Sequence, residues 1–342
     1  MMSTVGASLV LIQQNLIRYG FPLLLALGNL GNVLFVVIFC KRSHRNNPCS
    51  LYLIVSAIAG SIGLNWGLGT NLNAIYQRPD PFTISLVLCR TRGYLLQLAF
   101  VVHRTMILLA CIDRYALSSP SAKIRAYSKP KLAMKLIAGT TLFWTISSLQ
   151  QPFFQTIQNY RCYVFGTYGL IFSIYRICLY GCLFPALMMT FNYLLRKNLK
   201  AIRLRTLATQ AGLDSPQSTI TKRDLSLMKL VLAEVATALL LTFLYPINTL
   251  YNVLADEVPN KSQNRLQIEG FSTFITLIVL LYLNYCITFY LYLVMSASFR
   301  REVKAILFPC YRQRQANHLP QSLTMKQLSS TANRARVSPQ DT

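Results

Sequence analysis

The chain has 342 residues, 53% hydrophobic and 13% charged, with 34 Lys or Arg against 10 Asp or Glu and a formal net charge of +24. Soluble domains carry about a quarter charged residues, so this composition argues against a water-soluble enzyme or binding module and for lipid as the solvent. The basic excess does not read as nucleic-acid binding, because no basic stripe with interleaved aromatics sits on a soluble domain.

Seven apolar runs are predicted as helices at 17–40, 50–76, 88–117, 132–154, 167–195, 226–254 and 270–295, each about 20 residues or more and long enough to cross a hydrocarbon core. The fold class is an all-α membrane protein: a seven-transmembrane helix bundle with a short amphipathic eighth helix. Residues 1–16 are read as an extracellular N-terminus, 17–295 as the bundle, 297–308 as the amphipathic helix and 309–342 as a disordered cytoplasmic tail. No charged leader with a small-residue cleavage site precedes the first run, which is expected to act as its own signal.

An odd number of crossings puts the termini on opposite sides, and basic residues mark the cytoplasmic one. Lys41, Arg42 and Arg45 follow the first run; Lys123, Arg125, Lys129 and Lys131 follow the third; Arg196, Lys197, Lys200, Arg203 and Arg205 follow the fifth. The N-terminus, with Arg18 as its basic residue, is therefore expected outside.

In the third run Cys89 stands near the outer end and Asp113-Arg114-Tyr115 near the inner end. The separation of Cys89 from Arg114 corresponds to about 37 Å of helix, one crossing with its interfaces. A charged pair at a helix end is more often an interfacial anchor, but other anchors recur in order and spacing: Gly31-Asn32 in the first run, Trp144 with Pro152, Pro185 with Tyr193, Pro246 in the sixth run, and Tyr292 with Phe299.

Together these residues resemble the rhodopsin-like, G-protein-coupled receptors from Gly31 to about Leu307. The resemblance implies a multi-pass plasma-membrane receptor whose partners are an extracellular ligand, membrane lipids and a heterotrimeric G protein, with no cofactor, no metal and no catalysis. Arg114 at the inner mouth needs a counter-charge in low dielectric, and Asp113 is expected to hold it at rest. Activation in this family swings the sixth helix outward about Pro246 and turns Tyr193 and Tyr292 inward, opening a cavity for the G protein's C-terminal helix. Cys89 and Cys162 both lie on the oxidising side and are expected to be joined. Phe299, Val303, Ile306 and Leu307 form one face of an interfacial helix, with Arg300, Arg301 and Lys304 available to lipid phosphates. Cys310 after it is either palmitoylated, as often in this family, or a plain exposed thiol.

Several habitual positions differ. Gly60 replaces the second-helix aspartate, putting the allosteric sodium site in doubt; Thr288 and Phe289 replace the seventh-helix Asn-Pro, implying a straighter helix; Leu244 replaces the sixth-helix tryptophan. His103 and Arg104 are mid-helix cations, and an ionisable group at that depth is a functional hypothesis by default. His103, with Asn32 and Asn284, is expected to fill the space left by the missing aspartate; Arg104 reads either as functional or as a structural group that snorkels or bonds backbone carbonyls.

Leu96 stands where amine receptors place an aspartate, and the seventh helix has no lysine for a retinal Schiff base. Arg92, Gln97, Arg176, Asn248, Tyr251, Glu269 and Tyr282 at the outer mouth look most like a peptide receptor's contacts, of the invertebrate FMRFamide-receptor-like type, although Tyr and Arg also serve as interfacial anchors. A receptor for a small molecule or lipid is the alternative. A transporter would need inverted repeats or midplane acids, and Glu234 alone is a poor proton path.

Asn260-Lys261-Ser262 is a glycosylation sequon in the last outer loop. Asn260→Gln is expected to abolish the mobility shift produced by endoglycosidase on the expressed protein; an unchanged shift would place the modification elsewhere.

Overall fold

The computed structural model describes residues 4–41, 44, 46–77, 79–158, 161–164, 166–210, 222–256, 258 and 261–307. Arg42, Arg45, Asn260, Cys310 and the tail lie outside these residues, so the expectations placed on them are not addressed by the fold. Seven helices are long and apolar enough to cross a membrane: α1 (Gly6–Phe39), α2 (Pro48–Tyr76), α3 (Leu86–Ser118), α4 (Pro130–Phe154), α5 (Gly166–Ile202), α6 (Asp224–Asn252) and α7 (Gln263–Met295). The chain is thus a multi-pass membrane protein with the expected seven-helix bundle. A separate unit begins at Ser296 and contains α8 (Ala297–Leu307), where Phe299 and Val303 are buried while Arg300, Arg301 and Lys304 are exposed.

Helix starts follow local chemistry. Asn47 Oδ1 accepts from the Cys49 amide at 3.1 Å ahead of Pro48, Ser85 Oγ from Leu88 at 3.5 Å, and Ser262 Oγ from Arg265 at 3.3 Å. Each satisfies an amide that has no partner within its own helix. Helix α1 is helical from Thr4 and α7 from Gln263, earlier than the hydropathy of the sequence predicts. The added turns carry polar residues, which end an apolar run but not a backbone ladder. They pack on each other, with Gly6 against Gln267, and within the predicted spans Phe21 stacks on Phe274 with centroids 5.9 Å apart.

Burial sorts the helices. Leu23, Leu27, Leu30, Val33 and Val37 form an exposed stripe along α1, the spacing of one helix face turned to lipid. Residues 101–108 of α3 are buried on every side, so α3 runs through the middle of the bundle. Helix α1 closes on α2 and α7 at Gly28, where a Cβ would come within 2.6 Å of Cys286 Sγ and 2.7 Å of Leu64 Cδ1. Small residues permit such close helix approach in lipid.

Three helices contain π turns, at Leu16–Gly20, Ile177–Leu183 and Ile275–Val279. Helix α6 is interrupted at Phe243, between Lys222–Thr242 and Leu244–Asp256. The cause is Pro246, which lacks the amide that would bond to Thr242 and whose ring crowds that carbonyl. Helix α7 continues unbroken through Thr288 and Phe289.

After α4 a short hairpin pairs β1 (Thr156–Gln158) with β2 (Arg161–Tyr163), placing Cys162 opposite Ile157. Cys162 is bonded to Cys89 at the start of α3, with the Cα atoms 5.7 Å apart. This is the disulfide end of the bundle; the other is the basic end, near Lys123, Lys131 and Lys197. Cys162→Ser is expected to destabilise the folded bundle by about 2–4 kcal/mol, read as a lowered Tm in detergent; an unchanged Tm would mean that the hairpin is held without it.

Candidate functional site

At the basic end the Arg114 side chain is completely enclosed, and three groups answer its charge. Asp113 Oδ2 accepts from Nε at 3.1 Å and from Nη2 at 2.5 Å. Asp224 Oδ1, at the start of α6, accepts from Nη1 at 3.2 Å. Asn47 Oδ1, the cap of α2, accepts from Nη2 at 2.9 Å, while Asn47 Nδ2 donates to Asp224 at 3.4 Å. Ser128, between α3 and α4, donates to Asp113 Oδ1 at 2.7 Å. The expected Asp113–Arg114 pair is present, inside a knot that also ties α2 and α6 to α3. Tyr115 lies beside it against Phe191, 5.7 Å between centroids.

A second bond holds α6 on its other side. Glu234 is buried, its Oε1 accepting from Thr288 Oγ1 and its Oε2 from the Tyr292 hydroxyl, both at 3.2 Å. Tyr292 is fully enclosed with its ring edge-on to Phe35 at 5.1 Å. Tyr193 differs: its side chain is 68% exposed on the outside of α5. Of the two tyrosines that the resemblance implied turn inward, Tyr292 stands inside the bundle and Tyr193 outside it.

In the middle, His103 Nδ1 lies 2.9 Å from Ser56 Oγ and 3.1 Å from the Ser56 carbonyl. A carbonyl can only accept, so Nδ1 carries the hydrogen and Nε2 accepts from Asn284 Nδ2 at 3.4 Å. A Cβ on Gly60 would stand 3.6 Å from Asn32 Nδ2 and 3.7 Å from His103 Nδ1. His103, Asn32 and Asn284 therefore gather around the position of the missing aspartate. Arg104, one residue on, turns to the other side of α3 and lies over the Phe100 ring, 5.5 Å from its centroid.

Near the disulfide end a cavity of about 220 Å³ opens between α3, α4, α5, α6 and α7. Gln97, Arg176 and Tyr282 of the predicted contacts line it, with Leu96. Gln97 donates to the Tyr180 hydroxyl, and Arg176 Nε donates to the Tyr245 hydroxyl at 2.7 Å. The remaining four contacts fall elsewhere. Asn248 bonds Thr276 between α6 and α7, and Arg92 lies over Phe82 at 5.6 Å. Tyr251 donates to Glu269 at 2.9 Å, and Glu269 also takes Lys261 at 2.9 Å and Arg265 at 2.8 Å.

The sequence reading missed Gln151, Gln155, Tyr180 and Tyr245 as lining residues. Tyr180 lies inside the π turn of α5, whose wider winding shifts the facing of residues relative to a regular helix. Tyr245 is buried whereas its neighbour Leu244, at the expected sensor position, is 42% exposed. Gly181 fits α5 against α6, since a Cβ there would meet Pro246 Cβ at 2.6 Å. The half of α6 next to the cavity and the half tied to Arg114 thus meet at the break at Phe243.

Removing both donors to Glu234 with Thr288→Val and Tyr292→Phe leaves a carboxylate buried without partners, at about 1–3 kcal/mol for each lost bond. The double variant is expected to show a lower Tm than either single variant; a Tm equal to that of the unaltered protein would contradict the assigned network.

Among the described residues no group of three or more His, Cys, Asp or Glu could hold a metal ion. The sequence matches no protein-family model and no curated protein.

Proposed function

We propose that the chain is a rhodopsin-like, G-protein-coupled receptor of the plasma membrane, with its N-terminus and disulfide end outside, that passes binding of an extracellular ligand to a heterotrimeric G protein. The observation that carries this reading is the bond from Arg114 on α3 to Asp224 on α6. It closes the basic end through a pair of opposite charges on two different helices, and separating those helices would open a polar-lined cleft there.

The arrangement supports a two-state switch. Glu234 fixes the same half of α6 to α7, so both attachments lie below the break at Phe243. Tyr245, just beyond the break, lines the cavity. A ligand pressing on Tyr245 can bias the position of α6 only through a difference in its affinity for the two states. A peptide is the favoured ligand, its end entering the cavity and its remainder lying over the rim near Tyr251 and Glu269. A small molecule or lipid is the second reading, favoured by a cavity volume of about 220 Å³, below the usual several hundred for ligand pockets.

The test is guanine-nucleotide exchange by a panel of heterotrimeric G proteins on the reconstituted receptor. Asp224→Asn weakens the closed state, and a loss of about 1–2 kcal/mol raises the open population about 5- to 30-fold. Basal exchange is expected to rise accordingly, while Arg114→Ala is expected to abolish exchange at equal surface expression. Exchange on no G protein, from the unaltered receptor with a peptide library or from Asp224→Asn, would overturn the reading.

A further inference from the structure

Arg104 is 4% exposed in the middle of a membrane helix, a depth at which a cation is costly unless it is paired. Arg114, ten residues further on, has its carboxylates; Arg104 has no ion pair among the described residues. Its Nη2 is buried without a hydrogen-bond partner, and its guanidinium rests against the face of Phe100. Glu234, hydrogen-bonded to Thr288 and Tyr292, forms no ion pair with Arg104 and acts on its charge only at a distance. The backbone carbonyls that the sequence offered as a structural explanation do not accept from Nη2.

The surroundings say what could answer the charge. Arg104 borders a space of about 10 Å³, enough for one water-sized group. Phe100, Tyr180 and Tyr245 line both this space and the 220 Å³ cavity, so they are at once the roof of the small chamber and the floor of the large one. The three rings touch one another, with centroids 4.7 to 6.4 Å apart. A second guanidinium, Arg176, lies in the wall of the large chamber, and among the described residues no Asp or Glu lines either. An anion entering from the disulfide end would meet one guanidinium in the wall and another under the floor.

We propose that Arg104 and Arg176 form an anion site, and that the ligand of this cavity carries a carboxylate which reaches Arg104 by parting the floor rings, which close the small chamber in the unliganded fold, while its apolar body stays above them. The proposal rests on reading the cavity as the ligand site. Its chemistry is a charge-assisted hydrogen bond from a guanidinium nitrogen that has no partner in the unliganded fold, in surroundings of low dielectric. The carboxylate can belong to a small acid or to the free C-terminus of a peptide.

The experiment is thermal denaturation of the purified full chain in detergent, without G protein, so a receptor that fails to couple can still bind. One arm adds a chain-length series of ω-phenylalkanoates against the matching amides; the other adds short apolar peptides with a free C-terminal carboxylate against their amidated forms. At saturation the acid in at least one arm is expected to raise Tm by about 3 °C or more and its amide not to, and the arm that responds names the source. Arg104→Gln is expected to keep the unliganded Tm, because it removes an unpaired buried charge, and to lose the acid-dependent shift; Arg104→Lys is expected to retain part of it. Equal shifts from acids and amides, no shift from any acid, or an undiminished shift in Arg104→Gln would each overturn the proposal. So would a steep fall in the unliganded Tm of Arg104→Gln, or a shift reproduced in full by replacing gluconate with chloride, which would mark a site for an inorganic ion only.

Discussion

The need to neutralise Arg114 organises the basic end of this bundle. A guanidinium with no exposure to solvent is tolerable only if carboxylates and lone pairs surround it, and removing one partner of such a buried pair costs about 3–5 kcal/mol. Asp113 supplies a partner from the same helix, which fixes the side chain but joins nothing. Asp224 and Asn47 come from other helices. Through them the electrostatic demand of one residue becomes a tie among α2, α3 and α6, and Ser128 extends it to the α3–α4 connection.

The remaining polar groups form layers along α3. Glu234 with Thr288 and Tyr292 lies above the knot, His103 with Ser56 and Asn284 above that, and the Phe100–Tyr180–Tyr245 floor higher still. Helix α6 takes part in three of these levels, through Asp224, Glu234 and Tyr245, and is broken at Phe243 between the second and the third. A rigid helix would carry any movement of Tyr245 directly to Asp224. A broken one lets the two halves shift separately; under the proposed function a ligand would release the tied half only if its preference for the open state exceeds what the two attachments contribute to the closed one. Trp144 bonded to Thr105 at 2.8 Å and Asn198 bonded to Ser118 at 3.0 Å hold α4 and α5 to α3.

Much of this was legible in the sequence. Seven spans come from hydropathy because the lipid requirement acts on composition alone, and the joined Cys89–Cys162 pair from the side of the membrane on which the topology puts the two thiols. Gly60 and His103 were legible as a pair, since an absent acid and an unexpected imidazole implied a shared space. Facing was harder to read. Residue number gives depth along a helix, but the π turn at Ile177–Leu183 and the break at Phe243 each rotate the residues beyond them, so Tyr180 and Tyr245 face the cavity while Leu244 does not. Tyr251 and Glu269 have suitable depth but are absorbed by Lys261 and Arg265 at the rim. Asp224 was hidden for another reason: beside Lys222 and Arg223 it reads as an acid in the first turn of a helix, and only the fold brings Arg114 to it.

Asp224 and Glu234 hold α6 against its neighbours, and the function proposed for the chain depends on their doing so. The most direct measurement is the spin-label distance between Lys135→Cys on α4 and Lys229→Cys on α6, both exposed positions. The exposed Cys40, Cys178 and Cys182, together with Cys310, are replaced beforehand. The unliganded protein should give one short population, and Asp224→Asn combined with Glu234→Gln should add a longer one. Superimposable distributions in the two proteins would contradict the account.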